Sequence, residues 1–392
     1  MKPVNSEDPA SEAIGKAQAM LRAGDRSGAL ALLSDAVRAQ PGDHDLQLNL
    51  AMTYRAMGDL KSCLSALNTA LAADPYSFLA LLSKGSVLEQ LGRMRLAATV
   101  YRDALRIAPP ENGTPPSLKA PIDRARQVVA EQADALARHL HDVLAPELRA
   151  HGDAAHLARA TESIDVLAGT RKVYNAEPVQ FHYPRLPAIP FFDREYFPWM
   201  DRLEAATDVI REELVTLLDA GLPGFKPYVQ YAPGTPENQF APLNHNSKWS
   251  SLWLWKDGER QEEAIARCPR TAAILDELPL CDQPGFAPTA LFSALAPQTR
   301  IPPHTGSTNT RLLVHLPLVL PGPAGFRVGN DTREWRMGEA WAFDDTIEHE
   351  AWNDADETRV IMIFDIWNPL LTDAERELVR RLLTTHSAWL KS

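Results

Sequence analysis

The chain has 392 residues and a formal net charge of −11. At about 150 residues per domain, two or three domains are expected. With 45% hydrophobic and 23% charged residues, disorder throughout is excluded, and the acidic balance argues against a broad nucleic-acid-binding surface. No apolar run approaches the ~18–20 residues of a spanning helix, and the stretch from Met1 to Ala10 is polar and acidic. Neither a transmembrane segment nor a secretory signal is therefore expected. Cys63, Cys268 and Cys281 are too few for a disulfide framework and do not cluster like a zinc site, which fits a reducing, cytoplasmic location. All nine tryptophans lie beyond residue 190, so the two halves of the chain are unlike.

The first third is periodic. Gly24, Gly58 and Gly92 are spaced by 34 residues, as are Pro41, Pro75 and Pro109. Small and bulky positions recur in phase between them: Ala17, Ala51 and Gly85; Ala29, Cys63 and Ala97; Leu33, Leu67 and Tyr101; Ala36, Ala70 and Ala104. Each unit reads as helix, turn at Gly-Asp or Gly-Arg, helix, then a proline break. Small residues let paired helices approach closely, and the bulky residue fills the seam to the next unit. An ordinary helical bundle is the plain alternative. The period and phases resemble the tetratricopeptide repeat, with three repeats over residues 8–110. The resemblance implies an all-α solenoid whose groove takes a peptide or protein; a structural role such as dimerisation is the rival.

Pro109, Pro110, Pro115 and Pro116 around Asn112-Gly113-Thr114 end the repeats in a loop. Residues 111–177 read as a linker and helical region. Ala137, Leu140, Leu144 and Leu148 form an apolar stripe there, and His139, His141, His151 and His156 read as solvated or capping rather than metal-binding. The chain from Pro178 to Pro198 is rich in proline and aromatics and is expected to lie irregularly on a sheet. Residues 199–220 read as one amphipathic helix with Met200, Leu203, Ile210, Leu214 and Leu217 on its apolar face.

Strand-like runs follow at 249–255, 290–296, 311–320, 339–343 and 359–366, separated by turns, and suggest a barrel or jelly roll. Within them lies Pro303-His304-Thr305-Gly306-Ser307-Thr308-Asn309, and later Phe343-Asp344-Asp345-Thr346-Ile347-Glu348-His349-Glu350, with Arg359 ten residues beyond His349. Two histidines on separate strands and then an arginine is the order used by iron(II)- and 2-oxoglutarate-dependent oxygenases. Imidazole suits Fe(II), open coordination positions suit 2-oxoglutarate and O2, and a guanidinium can hold the far carboxylate bidentately. By spacing alone, two satisfied core histidines are the better reading.

The residues around them carry more. His304-Thr305-Gly306, Asn309, Arg311 and His315-Leu316, then Phe343-Asp344-Asp345, Glu348-His349-Glu350 and Trp352, with Arg359, the closing Asp365-Ile366-Trp367-Asn368-Pro369, and upstream Trp249-Ser250, Trp255 and Ser293, closely resemble the aspartyl/asparaginyl β-hydroxylase family. The resemblance covers about residues 180–370. It implies a double-stranded β-helix (jelly-roll or cupin-like) oxygenase domain with flanking helices over 178–370. It makes His304 and His349 the iron ligands and gives Arg359, helped by Ser293, the distal carboxylate of 2-oxoglutarate. His315 would lie at the other end of that co-substrate. Arg311 would face a substrate carboxylate or amide, with Trp249 in the same substrate site. Gly306 stands where most such oxygenases carry an acidic ligand. Water is expected in that position, with Thr305, Ser307 and Asn309 as hydrogen-bonding neighbours. Asp344, Asp345, Glu348 and Glu350 are expected to orient the histidine or sit on a turn, with direct ligation as the alternative. Leu313 replaces an arginine common in relatives, so one pocket charge is missing.

Residues 371–392 read as a C-terminal helix, with Leu378, Leu382 and Leu383 apolar and Arg376, Arg380 and Arg381 solvated. The reading is a dioxygenase using Fe(II), 2-oxoglutarate and O2 to hydroxylate the β-carbon of Asp or Asn in a polypeptide that the repeats recruit, with no nucleic-acid or membrane partner. The alternatives are a small-molecule or lipid acyl-chain hydroxylase and a non-catalytic repeat scaffold.

Overall fold

The computed structural model describes residues 9–151 and 154–391, and the chain divides into two compact units, Met1–Lys172 and Val173–Ser392. Side chains of His151 and His156 lie outside the described residues.

The first unit is helical. Three antiparallel pairs follow one another: α1 (Pro9–Arg22) with α2 (Arg26–Ala39), α3 (His44–Met57) with α4 (Leu60–Ala73), and α5 (Phe78–Gln90) with α6 (Met94–Arg106). The side chains of Asp25, Asp43, Asp59 and Ser77 each accept a backbone N–H three residues on, which satisfies a free donor of the first turn. Gly58 closes α3 in the left-handed region at φ 81°, a conformation that glycine adopts without a Cβ penalty. The expected phases are core. Ala17, Ala29, Leu33, Ala51, Cys63, Leu67, Ala70, Ala97, Tyr101 and Ala104 are all buried. Where the third repeat places Tyr101 in a leucine phase, Gly85 replaces alanine, because a Cβ there would stand 2.4 Å from the Tyr101 ring.

Helices α7 (Pro116–His151) and α8 (Ala154–Ala168) complete the unit. Ile122, Ala125 and Val128 of α7 close the core over α6. The stripe expected further along is thin: Ala137 is buried, but Leu144 is exposed. His139 is solvated, whereas His141 bridges to Asp165 of α8 at 2.8 Å.

The second unit is β-rich. Its helices are α9 (Met200–Ala205), α10 (Thr207–Asp219), α11 (Glu262–Ile265), α12 (Pro269–Asp276) and α13 (Asp373–Lys391). The single helix expected over 199–220 is broken at Ala206, yet all five of its apolar residues are buried. The strands are β1 (Lys226–Pro227), β2 (Trp249–Lys256), β3 (Glu259–Arg260), β4 (Ala290–Leu295), β5 (Thr299–His304), β6 (Arg311–Val319), β7 (Ala324–Val328), β8 (Asp331–Glu334), β9 (Trp341–Phe343), β10 (His349–Asn353) and β11 (Arg359–Trp367). They form a seven-stranded sheet in the order β1-β2-β4-β11-β6-β9, with β3 on β2, and a four-stranded sheet in the order β5-β10-β7-β8. Every strand pair is antiparallel. The sheets are not closed on each other, so of the barrel or jelly roll expected, a closed barrel does not form.

Side-chain alternation along each strand gives the large sheet two different faces. Phe292, Val314, Leu316, Met362 and Phe364 pack outward with Leu203, Ile210, Leu214 and Leu275 of the helices. Trp249, Leu295 and Ile361 turn inward to join Ile301, Phe326, Val328 and Ile347 from the small sheet and its loops. In α13 the buried residues are Val379 and Leu383. Leu378 and Leu382, expected on the apolar face, are 55% and 42% exposed, because the i, i+4 pair that packs is Val379 with Leu383. Its arginines pair with Asp373, Asp282 and Glu377.

Candidate active site

The inner face holds a narrow cavity to which both sheets contribute. From the small sheet come His304, ending β5, and His349, opening β10. The two are register partners, and their ring centroids lie 4.0 Å apart. Each Nδ1 meets the carbonyl two residues earlier, His304 that of Pro302 at 2.8 Å and His349 that of Ile347 at 3.0 Å. A carbonyl can only accept, so both Nδ1 atoms carry protons and the lone pairs sit on Nε2. Burial pushes the pKa of His304 down and that of His349 well down, the latter also through neighbouring His304. Both rings are therefore neutral, the form that binds metal.

The acidic residues near them do other work. Asp344 caps the following turn, accepting from the N–H and hydroxyl of Thr346. Glu348 and Glu350 pair with Arg327. Backbone carbonyls orient the histidines; of the two roles expected for the nearby acids, Asp344 takes the turn. Asp345 is the exception. It is buried, one of its oxygens has no partner, and burial raises its pKa to about 7. A Cβ built on Gly306 would stand 1.9 Å from its Oδ2, so Asp345 occupies the space that a side chain at 306 would need. No group of three His, Cys, Asp or Glu side chains with metal-holding geometry occurs among the described residues.

The large sheet supplies the opposite wall. Arg359 opens β11, is 1% exposed and is among the largest fully buried side chains. Among the described residues no acid pairs with it and its Nε and Nη1 have no partner, and burial lowers its pKa to about 10. His315 on β6 is buried with Nδ1 unpartnered, and burial and the Arg359 charge keep it neutral. Ser293 on β4 accepts the indole N–H of Trp249 at 3.1 Å, which leaves its own proton for an acceptor in the cavity. Trp249 stacks on Tyr228 at 4.0 Å. A buried cation without a counter-ion is costly, and such groups mark sites where a ligand completes the pairing.

Six residues singled out from sequence, Trp249, Ser293, His304, His315, His349 and Arg359, line this one cavity. Arg311 does not. Its Nη1 donates to Asp365 at 2.7 Å and to the Phe286 carbonyl at 3.2 Å. Leu313, the departure from relatives, does line it. Asn309 is spent on both backbone groups of Tyr183 rather than on a water. Sequence reading missed Tyr228, Phe326 and Trp335, which also form the walls; they fall in short strands and loops with no periodicity to flag them.

An arginine and a pair of histidines line one inter-sheet cavity of a β-rich unit, in a chain that also carries a unit of helical repeats. Residues 204–369 match the profile described as aspartyl/asparaginyl beta-hydroxylase, and residues 20–85 and 79–111 match tetratricopeptide repeats. An ornithine lipid ester-linked acyl 2-hydroxylase of Rhizobium tropici is 33% identical over 204 residues, covering 51% of this chain and 68% of the relative. The human aspartyl/asparaginyl beta-hydroxylase is 35% identical over 183 residues, 46% of this chain and 22% of that protein. Human aspartate beta-hydroxylase domain-containing protein 2 is 28% identical over 51% of this chain and 53% of its own length. The chain belongs to the aspartyl/asparaginyl β-hydroxylase family and carries tetratricopeptide repeats.

Proposed function

We propose that the protein is an Fe(II)- and 2-oxoglutarate-dependent dioxygenase, with the second unit as a double-stranded β-helix catalytic domain. The observation that carries this is the unpaired, fully buried Arg359 across the cavity from two neutral histidines. The donor set fits the cofactors. Two imidazoles bind a divalent iron and leave positions for other ligands, and the free donors of Arg359 and Ser293 suit a carboxylate. When bound, the iron would couple oxidative decarboxylation of 2-oxoglutarate to succinate with hydroxylation of a carbon.

The chain's own groups have defined tasks in this reading. His304 and His349 hold the metal through Nε2, fixed by their Nδ1 bonds. Arg359 neutralises and orients the far carboxylate, with the Ser293 hydroxyl. Neutral His315 can lie beside the co-substrate without adding charge. The aromatic walls exclude water, which strengthens these polar contacts. Asp345 fills the room a side chain at 306 would need, so position 306 offers no acidic ligand and a water would take that place. Retention of both histidines and Arg359 disfavours a non-catalytic scaffold.

The substrate read from the family resemblance is the β-carbon of Asp or Asn in a polypeptide recruited by the repeats. One observation favours a second reading, an acyl chain. Arg311 is committed to Asp365, and Leu313 stands in the cavity wall, so among the described residues Arg359 is the one cation lining it, and no second cation awaits a substrate carboxylate. The relative named as a lipid acyl hydroxylase points the same way. The test is succinate release by the full chain with Fe(II), 2-oxoglutarate and O2, offered Asp- or Asn-containing peptides in one arm and acylated lipids in the other. A single added oxygen in one product assigns the substrate. No stimulated succinate and no oxygenated product in either arm removes both.

A further inference from the structure

Trp335 follows β8 directly and lines the same cavity, yet the roles assigned above do not use it. Its side chain is 8% exposed, and its indole Nε1 is buried without a partner. A buried N–H is normally paired, so an orphan in a cavity wall signals an acceptor from outside the chain. The ring cannot swing away to reach solvent. It stacks on Trp341 at 4.6 Å and on His315 at 5.6 Å, and Phe326 lies 5.5 Å away. The guanidinium carbon of Arg359 sits 5.2 Å over the same ring, close enough for a cation–π attraction. Trp335 thus packs against Arg359 in the wall of one cavity, with an unused donor of its own beside a guanidinium that has two.

We infer that Trp335 belongs to the co-substrate seat: its Nε1–H donates to the carboxylate that Arg359 holds, while its ring fixes the guanidinium. This rests on the reading that Arg359 takes the far carboxylate of 2-oxoglutarate. Trp341 is the internal control. Its Nε1 is also buried and unpartnered, and it stacks on the other side of the column, but it does not line the cavity.

The test is calorimetric titration of 2-oxoglutarate into the Zn(II)-loaded full chain, which binds without turning over. Trp335→Phe keeps a ring over Arg359 and removes the donor; it is expected to weaken binding by about tenfold or more, as loss of one hydrogen bond to a charged acceptor does. Trp341→Phe is expected to stay within about twofold, since no ligand bond is lost. Normal binding by Trp335→Phe, with weakened binding by Arg359→Gln, removes the Trp335 role and keeps the Arg359 reading. Normal binding by both removes both. Equal losses from Trp335→Phe and Trp341→Phe mark a packing effect and also overturn the inference. A measurement on the unaltered protein guards against misfolding of the variant. The Trp335 indole N–H resonance of the ¹⁵N-labelled chain should move downfield when 2-oxoglutarate is added, and an unmoved resonance refutes the bond.

Discussion

The repeat unit and the β-rich unit satisfy their polar groups by opposite means. In the repeats, contacts are short in sequence: Asp and Ser caps reach three residues, and the Gly85–Tyr101 fit spans sixteen. In the β-rich unit the decisive pairs lie far apart, as with Trp249 and Ser293, His304 and His349, or Arg311 and Asp365. Of the buried side-chain polar atoms without a partner among the described residues, His44 Nε2 alone belongs to the first unit. The rest lie in the second, and several surround the cavity: Arg359, His315 and Trp335. The repeats are built for packing, and the β-rich unit gives up part of its polar satisfaction to hold a site.

That contrast can be broken, most severely at the histidines. His304→Ala and His349→Ala are each expected to abolish metal-dependent succinate release with secondary structure intact by circular dichroism. Wild-type release from either variant removes the metal assignment. Next is Arg359. Arg359→Met is expected to weaken 2-oxoglutarate binding tenfold or more, since a charge-assisted contact contributes about 1.5–3 kcal/mol. It should also raise the melting temperature, by about 2–4 °C for each kcal/mol regained from removing an unpaired buried cation. A lowered melting temperature would show that the cation is satisfied without ligand.

Gly306→Asp sharpens the same point. Its Cβ would meet the Asp345 carboxyl, so the variant should be destabilised by about 1–3 kcal/mol, as overpacked cores are, and Asp345→Gly should restore much of the loss. Urea unfolding of the single and double variants measures this; additive losses would reject the clash. In the repeats, Gly85→Ala adds a Cβ against the Tyr101 ring. The helix-propensity gain of about 0.5–1 kcal/mol should be outweighed by overpacking of about 1–3 kcal/mol, with Tyr101→Leu relieving it. Succinate release should not change. The smallest effect is expected from the isolated second unit, Val173–Ser392, whose substrate-independent succinate release should match that of the full chain. A cut near residue 120 would instead sever α7, whose Ile122, Ala125 and Val128 close the repeat core. A large fall in release would tie the repeats to the chemistry.

The sequence by itself determined the periodic half almost completely. Helix caps, small-residue phases and left-handed glycines act within one or two turns, so a spacing of 34 residues in Gly24, Gly58 and Gly92 carries the architecture. It also determined which residues line the cavity where a motif carried them, as with His304, His349 and Arg359. Tertiary structure alone decided the remainder. Short strands such as β5, β7, β8 and β10 have no periodicity long enough to see, and whether the sheets close depends on edges brought together from distant parts of the chain. Whether a charge is free or spent is likewise a matter of cross-strand partners. Arg311 and Arg359 look alike in sequence, but Asp365 takes one, and among the described residues no acid takes the other. Trp335 carries no local signal, and the part Asp345 plays is not legible from its neighbours, since both depend on a buried atom without a partner among the described residues and, for Asp345, on the room that Gly306 leaves.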